Sequence, residues 1–196
     1  MITIIDYDAG NTCSVMNALK RLNVNFELSD NPATISNAEK VIFPGVGHAA
    51  AAMEALKAKN LVDVIRGLQQ PVLGICVGMQ LLMDASEEGD AKGLGIIPGK
   101  VLRFDIDPDM KVPHMGWNSI SEFRDDKLLK DISQDSFVYF VHSYYVPEND
   151  FSIASCTYDL NFSAAVKKDN FYGIQFHAEK SGSIGAHILK NFIANT

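Results

Sequence analysis

The sequence predicts an α/β protein of three layers, with a mostly parallel central sheet, helices on both faces and an antiparallel extension in the second half. Three observations support this prediction. Nearly continuous apolar runs alternate with helical patterns in the first half, short strand-like segments follow one another closely after residue 96, and an amphipathic segment lies near residue 190. Repeated strand–helix units build a parallel sheet that is covered by helices.

Residues 2–6 are a nearly continuous apolar run, which is typical of a strand buried on both faces. Further strands of the parallel sheet are predicted over residues 24–28, 40–43 and 72–75. Helices are assigned where apolar side chains recur on one helical face. The helical segments are residues 15–22, 49–57, 61–68 and 79–83. Turns are predicted between these elements, at residues 8–11, at Asn31-Pro32 and at Pro71.

The second half is predicted to extend the sheet with short antiparallel strands. These strands are residues 100–104, 137–141, 151–156, 164–168 and 171–176. Lys168-Asp169-Asn170 has the composition of a hairpin turn between the last two strands. An amphipathic helix follows over residues 184–193. Because no repeat, low-complexity tract or linker interrupts the pattern, we expect one domain over residues 1–196 with a flavodoxin-like arrangement.

Composition and charge exclude several classes of function. The 196 residues include 47% hydrophobic and 21% charged side chains, which is typical of a globular protein with a substantial core. The net charge of −7 argues against nucleic-acid binding, which needs clustered cations. Apolar runs stay well short of the roughly 20 residues that span a bilayer. The N-terminal segment lacks the basic start of a signal peptide. We therefore expect a cytoplasmic protein with no membrane partner.

Cys13, Cys76 and Cys156 are an odd number of cysteines without paired spacing. We expect reduced thiols and no disulfide framework. The histidines lack the close spacing that is typical of zinc ligands. The sequence therefore predicts neither a metal site nor a cofactor.

The strongest signal for chemistry is Gly74-Ile75-Cys76-Val77-Gly78, directly after a predicted buried strand and before a predicted helix. In a nucleophile elbow, a strand turns sharply into a helix, flanking glycines allow close backbone packing, and the nucleophile projects from the sheet. The positive end of the helix dipole stabilises a cysteine there as a thiolate. The alternative is a buried structural cysteine. The two glycines and the strand–helix context favour a nucleophile.

A thiolate that attacks an acyl carbon needs a neighbour that can donate and accept a proton. His177 lies at the end of a predicted strand, at the sheet edge where α/β proteins place reactive groups. Glu179 follows two residues later, and in an extended segment this spacing puts both side chains on one face. The carboxylate can then orient the imidazole. A surface histidine beside an unrelated glutamate remains an alternative for the pair taken alone. The chain order nucleophile, histidine, acid differs from that of α/β-hydrolases and argues against an esterase.

An attack of this kind creates an oxyanion, which backbone N–H groups can stabilise. The amide of Val77, next to the nucleophile, is one candidate. The predicted loop Pro44-Gly45-Val46-Gly47 after the third strand is the other, with Val46 and Gly47 as donors, because glycines allow the backbone to turn an N–H inward. A simple tight turn is the alternative interpretation of this loop.

Together these residues resemble the triad-type, class I glutamine amidotransferases. The resemblance rests on three segments, GICVGMQ at 74–80, His177-Ala178-Glu179-Lys180 and the 44–47 loop. Further support comes from DYDAGN at 6–11, PHMGWN at 113–118 and YFVHSY at 139–144, so the resemblance spans essentially the whole chain. Two positions depart from the family pattern, because Ala178 replaces a common proline and Val77 replaces a common leucine. Neither change removes a reacting group, but Ala178 leaves the backbone less constrained than proline would.

The resemblance implies a glutaminase with a Cys76, His177 and Glu179 triad and no cofactor. Cys76 is expected to attack the side-chain amide of L-glutamine, His177 to protonate the departing ammonia, and water to hydrolyse the resulting thioester. Gln80, Ser143 and Tyr144 match positions that bind the glutamine substrate in this family.

The resemblance also implies a partner protein. Ammonia released into neutral water is protonated, and the chain has no nucleotide-binding loop that would serve an acceptor reaction. The match is closest to members that feed a separate (β/α)₈-barrel cyclase, which makes imidazole glycerol phosphate and an aminoimidazole carboxamide ribotide in histidine biosynthesis. Met115, Trp117, Tyr139 and Lys180 are expected at the cyclase contact, although the segment around Trp117 is predicted to be a polar turn. We hypothesise that the 45–47 loop changes conformation to complete the oxyanion site when the cyclase binds its ligand.

Three alternatives remain open. The chain could supply ammonia for pyridoxal phosphate, anthranilate or carbamoyl phosphate synthesis, it could be a cysteine hydrolase or peptidase on the same scaffold, or it could be a non-catalytic scaffold that binds a partner. The segments 113–118 and 139–144 disfavour the first alternative. The presence of all three triad members disfavours the last.

Overall fold

The computed structural model of the chain describes residues 1–8, 11–121 and 123–196. No helix in these ranges has the length and apolarity needed to cross a bilayer. The strands are β1 (Ile2–Ile5), β2 (Phe26–Ser29), β3 (Lys40–Gly45), β4 (Val72–Cys76), β5 (Ala85–Ser86), β6 (Ala91–Lys92), β7 (Lys100–Arg103), β8 (His114–Ile120), β9 (Ser136–His142), β10 (Tyr144–Tyr145), β11 (Ser152–Tyr158), β12 (Leu160–Lys168) and β13 (Phe171–Ile174). The helices are α1 (Thr12–Arg21), α2 (Pro32–Ser36), α3 (Ala49–Ala58), α4 (Val62–Arg66), α5 (Val77–Leu81) and α6 (Gly182–Asn195), with short 3₁₀ turns at Glu88–Asp90, Lys127–Leu129 and Ala178–Lys180.

The central sheet has seven strands in the order β11-β12-β13-β4-β3-β1-β2. Neighbours from β13 to β2 run parallel, whereas β11, β12 and β13 pair antiparallel. Strands β1, β4 and β13 are buried along their whole length. The continuous apolar run at residues 2–6 predicted this for β1, whereas β13 was predicted within the antiparallel extension and pairs parallel with β4 on one side. The predicted fold class, a mostly parallel α/β sheet with an antiparallel extension, is therefore confirmed.

Three strands end at the same edge of this sheet. The pairing of β3 with β4 sets Gly45 beside Cys76, and the pairing of β4 with β13 sets Ile75 beside Ile174. The segments that follow β3, β4 and β13 therefore emerge next to one another. Strand β3 runs through Gly45, two residues further than predicted.

The strand β8 is the largest element that the sequence analysis missed, because its segment was predicted to be a polar turn. It pairs antiparallel with β9 in a separate two-stranded sheet, which we call the ribbon. A second difference lies at Pro32, which begins the short helix α2 and does not merely turn the chain. The Asn31 side chain caps this helix by accepting from the Ala33 amide at 2.9 Å. Of the turn predicted at residues 8–11, Ala9 and Gly10 lie outside the described residues.

Candidate active site

The chain turns abruptly from β4 into α5 at Cys76, which is buried and is the residue before the first helical position. Its backbone has φ 54° and ψ −110°. A non-glycine residue in such a region costs about 1–3 kcal/mol and persists only where the surrounding structure enforces it. This is the strained turn that the Gly-x-Cys-x-Gly pattern predicted.

The glycines on either side allow the helix to begin directly against the sheet. A Cβ on Gly78 would lie 2.0 Å from the carbonyl oxygen of Phe43 in β3, and a Cβ on Gly74 would lie 2.8 Å from the Gly78 backbone. Neither position can hold a side chain while the backbones stay in contact. Close packing of the backbone, and not loop flexibility, explains both glycines.

His177 and Glu179 are both buried, and they are directly bonded. His177 Nδ1 donates to Glu179 Oε1 at 2.7 Å, although Ala178 stands between them where the family commonly has proline. The spacing argument assumed that this segment is extended. The structure instead has a 3₁₀ turn at Ala178–Lys180. The backbone N–H of His177 donates to the carbonyl oxygen of Tyr139 at 2.9 Å, which fixes the start of this turn against β9.

The charge of His177 is set by competing effects. Burial lowers the pKa of His177, but the nearby Cys76 sulfur and the Glu179 carboxylate raise it, and the net result is a pKa raised to about 10. The ring is therefore an imidazolium at neutral pH. Its Nε2 is buried and makes no hydrogen bond in the part of the chain that the structure describes.

A cavity of about 200 Å³ lies over the turn. This is below the roughly 300–1,000 Å³ of sites for drug-sized ligands, so the cavity suits a small substrate. It is lined by most of the residues predicted for the site, namely Val46, Gly47, Cys76, Val77, Gln80, Ser143, Tyr144 and His177. The sequence analysis missed three further lining residues, Glu88, Val141 and His142. Glu179 lies behind His177 and does not line the cavity.

Glu88 brings a carboxylate to the cavity wall. Its Oε2 accepts from the backbone N–H of Ala49 at 2.7 Å and so caps the start of α3 from outside the helix. His48, the residue before α3, provides no such side-chain cap. Nothing local in the sequence could have indicated this contact, because it joins segments 39 residues apart.

Two backbone segments face the cavity as candidates for the oxyanion site. Val77 begins α5, so its N–H has no acceptor within the helix. Gly47 is exposed and has φ 92°, a conformation that favours glycine. Gly45, by contrast, belongs to β3, and a Cβ there would lie 2.6 Å from the Gly78 nitrogen. The predicted loop is therefore confined to residues after Gly45.

Three of the residues predicted at the partner contact, Met115, Trp117 and Tyr139, lie on one face of the ribbon. Met115 is opposite Val141 and Trp117 is opposite Tyr139, so these side chains share a face. Met115 is 63% and Trp117 is 55% exposed. Lys180 lies over the Tyr139 ring, with Nζ 6.0 Å from the ring centroid.

Phe137 was missed by the sequence analysis. It lies on the same strand and face as Tyr139 and is 57% exposed. We call Met115, Trp117, Phe137 and Tyr139 the outer face of the ribbon.

The opposite face of the ribbon is buried and carries two histidines. His114 Nδ1 and His142 Nε2 are 3.1 Å apart, and His142 Nδ1 donates to the carbonyl oxygen of Tyr144 at 2.8 Å. Burial lowers the pKa of His114 to about 4 and that of His142 to about 3. Both rings are therefore neutral at neutral pH, and His114 supports His142, which lines the cavity.

The fold thus places Cys76 at the end of a parallel strand, and His177, which is bonded to Glu179, lines the same cavity. The family model that matches is Glutamine amidotransferase class-I, over residues 3–196. The chain therefore belongs to the class-I glutamine amidotransferases.

Similar proteins narrow the choice within this family. The chain is 51% identical to "Imidazole glycerol phosphate synthase subunit HisH" of Bacteroides fragilis, over 98% of both proteins. It is 47% identical to the HisH subunit of Pasteurella multocida, over 99% of this chain and 98% of that protein. It is 48% identical to that of Haemophilus influenzae, over 98% of this chain and 96% of that protein.

Solved structures support the fold alone, because their sequences are distant. A glutamine amidotransferase structure superposes with a TM-score of 0.75 at 14% identity and covers 98% of this chain and 97% of that chain. A second glutamine amidotransferase, from Thermotoga maritima, gives a TM-score of 0.61 at 18% identity over 98% of this chain and 80% of that chain.

Proposed function

We propose that this chain is the glutaminase subunit of an imidazole glycerol phosphate synthase. It hydrolyses L-glutamine to glutamate and ammonia, and it delivers the ammonia to a separate cyclase subunit. The observation that carries this proposal is the cavity shared by Cys76 and His177, with the His177 ring held by Glu179 at 2.7 Å. The HisH relatives, at 47 to 51% identity over almost their whole length, support the choice of acceptor reaction.

The first step transfers the glutamyl group to sulfur. The Cys76 thiolate attacks the carbon of the substrate's side-chain amide, and a C–S bond forms as the carbonyl oxygen becomes an oxyanion. We assign the N–H groups of Val77, Val46 and Gly47 to this oxyanion. His177 then gives its Nε2 proton to the amide nitrogen, the C–N bond breaks and ammonia leaves. The raised pKa of His177, about 10, supports this role because the ring carries the proton before the reaction starts.

The second step releases glutamate. His177 is now neutral and takes a proton from water, the resulting hydroxide attacks the thioester carbon, and the C–S bond breaks. The thiolate and the imidazolium are thereby restored. The Glu179 carboxylate keeps the proton on Nδ1, so proton transfer occurs at Nε2.

The cavity wall offers groups for both ends of the substrate. We assign the Glu88 carboxylate to the α-ammonium group of glutamine, because opposite charges attract strongly in a small cavity. Ser143 and Tyr144 line the same cavity and can hold the substrate's polar atoms. The Gln80 nitrogen donates to the Tyr144 carbonyl oxygen at 2.9 Å, which leaves the Gln80 oxygen for the substrate.

We assign the outer face of the ribbon to the cyclase contact. Exposed apolar side chains that cluster in one place mark protein interfaces more often than free surface. The next outward position along β9 after Tyr139 is Val141, which lines the cavity. Ammonia released there would have a short path to a protein docked on this face. By family resemblance, the cyclase is a (β/α)₈ barrel.

The decisive experiment measures glutamate release by the chain alone, with a cyclase subunit, and with the cyclase and its ligand. We expect glutamine turnover to rise on addition of the liganded cyclase, with glutamate and imidazole glycerol phosphate formed in equal amounts. Turnover of peptides or esters without turnover of glutamine would identify a cysteine hydrolase instead. Glutamine turnover that never yields the cyclase product would assign the chain to another synthase.

Trp117→Ala is expected to weaken cyclase binding by at least about 30-fold, which corresponds to about 2 kcal/mol for a central interface tryptophan. The stability of the free chain should change little, because Trp117 is 55% exposed. Leu28→Ala is the matched control, since Leu28 is also partly exposed but lies on β2 at the far edge of the sheet. The measurement is the dissociation constant of each variant for the cyclase, by titration calorimetry. If Trp117→Ala binds the cyclase as tightly as the parent and Leu28→Ala do, the assignment of this face is wrong.

A further inference from the structure

A buried glutamine outside the predicted triad lies beside the nucleophile. Gln175 directly follows β13, and the pairing of Ile174 with Ile75 brings it level with Cys76. Its side chain is 0% exposed, and it is not among the residues that line the cavity. A buried amide is stable only where its polar atoms find partners.

The hydrogen bonds around Gln175 fix the orientation of its amide group. The carbonyl oxygen of Tyr144 can only accept, so the Gln80 side chain must present its NH₂ group there, at 2.9 Å. The same NH₂ group lies 3.0 Å from Gln175 Oε1. Gln175 must therefore present its oxygen to Gln80 and its own NH₂ group to the other side. That NH₂ group lies 3.7 Å from Cys76 Sγ.

We propose that Gln175 is a positioning residue for the nucleophile, because its side-chain N–H holds the Cys76 sulfur and favours the thiolate before attack. A hydrogen bond donated to an anion stabilises the anion relative to its protonated form. The sulfur also lies 3.9 Å from the Val141 carbonyl oxygen, which can only accept and so favours the thiol. The Gln175 N–H opposes this effect, because it stabilises the thiolate. Since the amide is neutral and does not give up its proton, the negative charge stays on the sulfur and is available for attack.

The inference rests on the proposed function for the reaction that it serves, but it concerns the resting sulfur and can be tested without turnover. The test is the rate of Cys76 alkylation by iodoacetamide as a function of pH. It uses the full chain carrying Cys13→Ser, because Cys13 is exposed. Cys156 does not interfere, since burial raises the pKa of its thiol to about 12.

Gln175→Met keeps the side-chain length and removes both hydrogen bonds. We expect the midpoint of the alkylation profile to rise by about one pH unit and the rate at pH 7 to fall about tenfold. Gln175→Glu should shift the midpoint further upward, because a negative charge beside the sulfur opposes a second one. In glutamine turnover, kcat should fall about tenfold while KM changes less than about threefold, because Gln175 does not line the cavity.

Gln70→Met is the matched control. Gln70 donates a side-chain bond of the same kind, to the Ile35 carbonyl oxygen at 2.9 Å, at a place remote from the cavity. Its alkylation profile should equal that of the parent. A purely structural role for Gln175 would lower thermal stability and leave the alkylation midpoint unchanged, and that result overturns the inference.

Two further results, a variant that does not fold and a parent whose Cys76 does not react, can be told apart from the results above. If Gln175→Met does not fold, Gln175→Asn replaces it in the test, because asparagine withdraws the amide by one methylene. A raised alkylation midpoint in Gln175→Asn supports the inference, and an unchanged midpoint overturns it. If Cys76 of the parent is inert at every pH, the proposed function fails first, and this inference fails with it.

Discussion

Replacing Cys76 with alanine is expected to lower glutamine hydrolysis by at least about 10⁴-fold, because no thioester can form without the sulfur. Synthesis by the assembled complex from added ammonium chloride should continue at the parental rate, since the cyclase can take ammonia from solution. The measurement is glutamate release and cyclase product formation by one preparation, first with glutamine and then with ammonium chloride.

Cys156→Ala is the control for loss of a buried sulfur. Cys156 is buried on β11 and is not among the residues that line the cavity. We expect it to cost about 1 kcal/mol of stability and to leave turnover unchanged. Glutamine hydrolysis that survives in Cys76→Ala would place the nucleophile elsewhere. Loss of the ammonium-driven reaction in the same variant would show that the substitution disturbs the complex itself.

Gly78→Ala is expected to destabilise the fold by about 3 kcal/mol or more. The added Cβ would lie 2.0 Å from the Phe43 carbonyl oxygen, and that oxygen belongs to a buried central strand that cannot move alone. For a chain of this length, a loss of this size lowers the melting temperature by roughly 10 °C. Urea unfolding of the free chain gives the free energy directly.

Gly67→Ala is the comparison for this substitution. A Cβ at Gly67 would lie 3.3 Å from the nearest oxygen, that of Asp63, and its backbone is already helical, with φ −85°. We expect a change of less than about 1 kcal/mol there. Equal unfolding midpoints for the two variants would refute the packing explanation for Gly78.

The central sheet and the strained turn could be predicted because each depends on a pattern within a few consecutive residues. Parallel strands buried on both faces tend to be continuous apolar segments. The Gly74-x-Cys76-x-Gly78 pattern predicts both the close backbone packing of the turn and the position of the candidate nucleophile. The antiparallel strands β12 and β13 were likewise predicted through the turn at Asp169, where φ is 52°. Local chemistry was sufficient in each case.

Strand β8 could not be predicted in this way, because its pattern is reversed. Its buried positions include His114, and its most exposed positions are Met115 and Trp117. The inner histidine is stabilised by hydrogen bonds and aromatic neighbours in place of aliphatic packing. The apolar residues point outward, where a partner is proposed to cover them. A rule that places apolar residues inside cannot recognise such a strand.

Glu88 and Gln175 escaped prediction for a different reason. Each acts across a long stretch of chain, Glu88 on Ala49 and Gln175 on Cys76, which lies 99 residues earlier. Gln175 also lies in an apolar run that suggested only a strand. The register of β13 against β4 is needed before its neighbour can be known. The contacts of such residues can be predicted only when it is known which strands and segments are neighbours in the fold.

The backbone of β9 has a consequence for how such a protein can diverge. Tyr139 accepts the His177 N–H through its carbonyl oxygen, and its own N–H donates to the Ser181 hydroxyl oxygen at 2.9 Å. These bonds use main-chain atoms of Tyr139, while its side chain faces outward with Trp117. Mutation can therefore exchange the outward side chains one by one while the histidine keeps its anchor. Substitutions that alter which surface the ribbon can bind would therefore leave the backbone support of His177 intact.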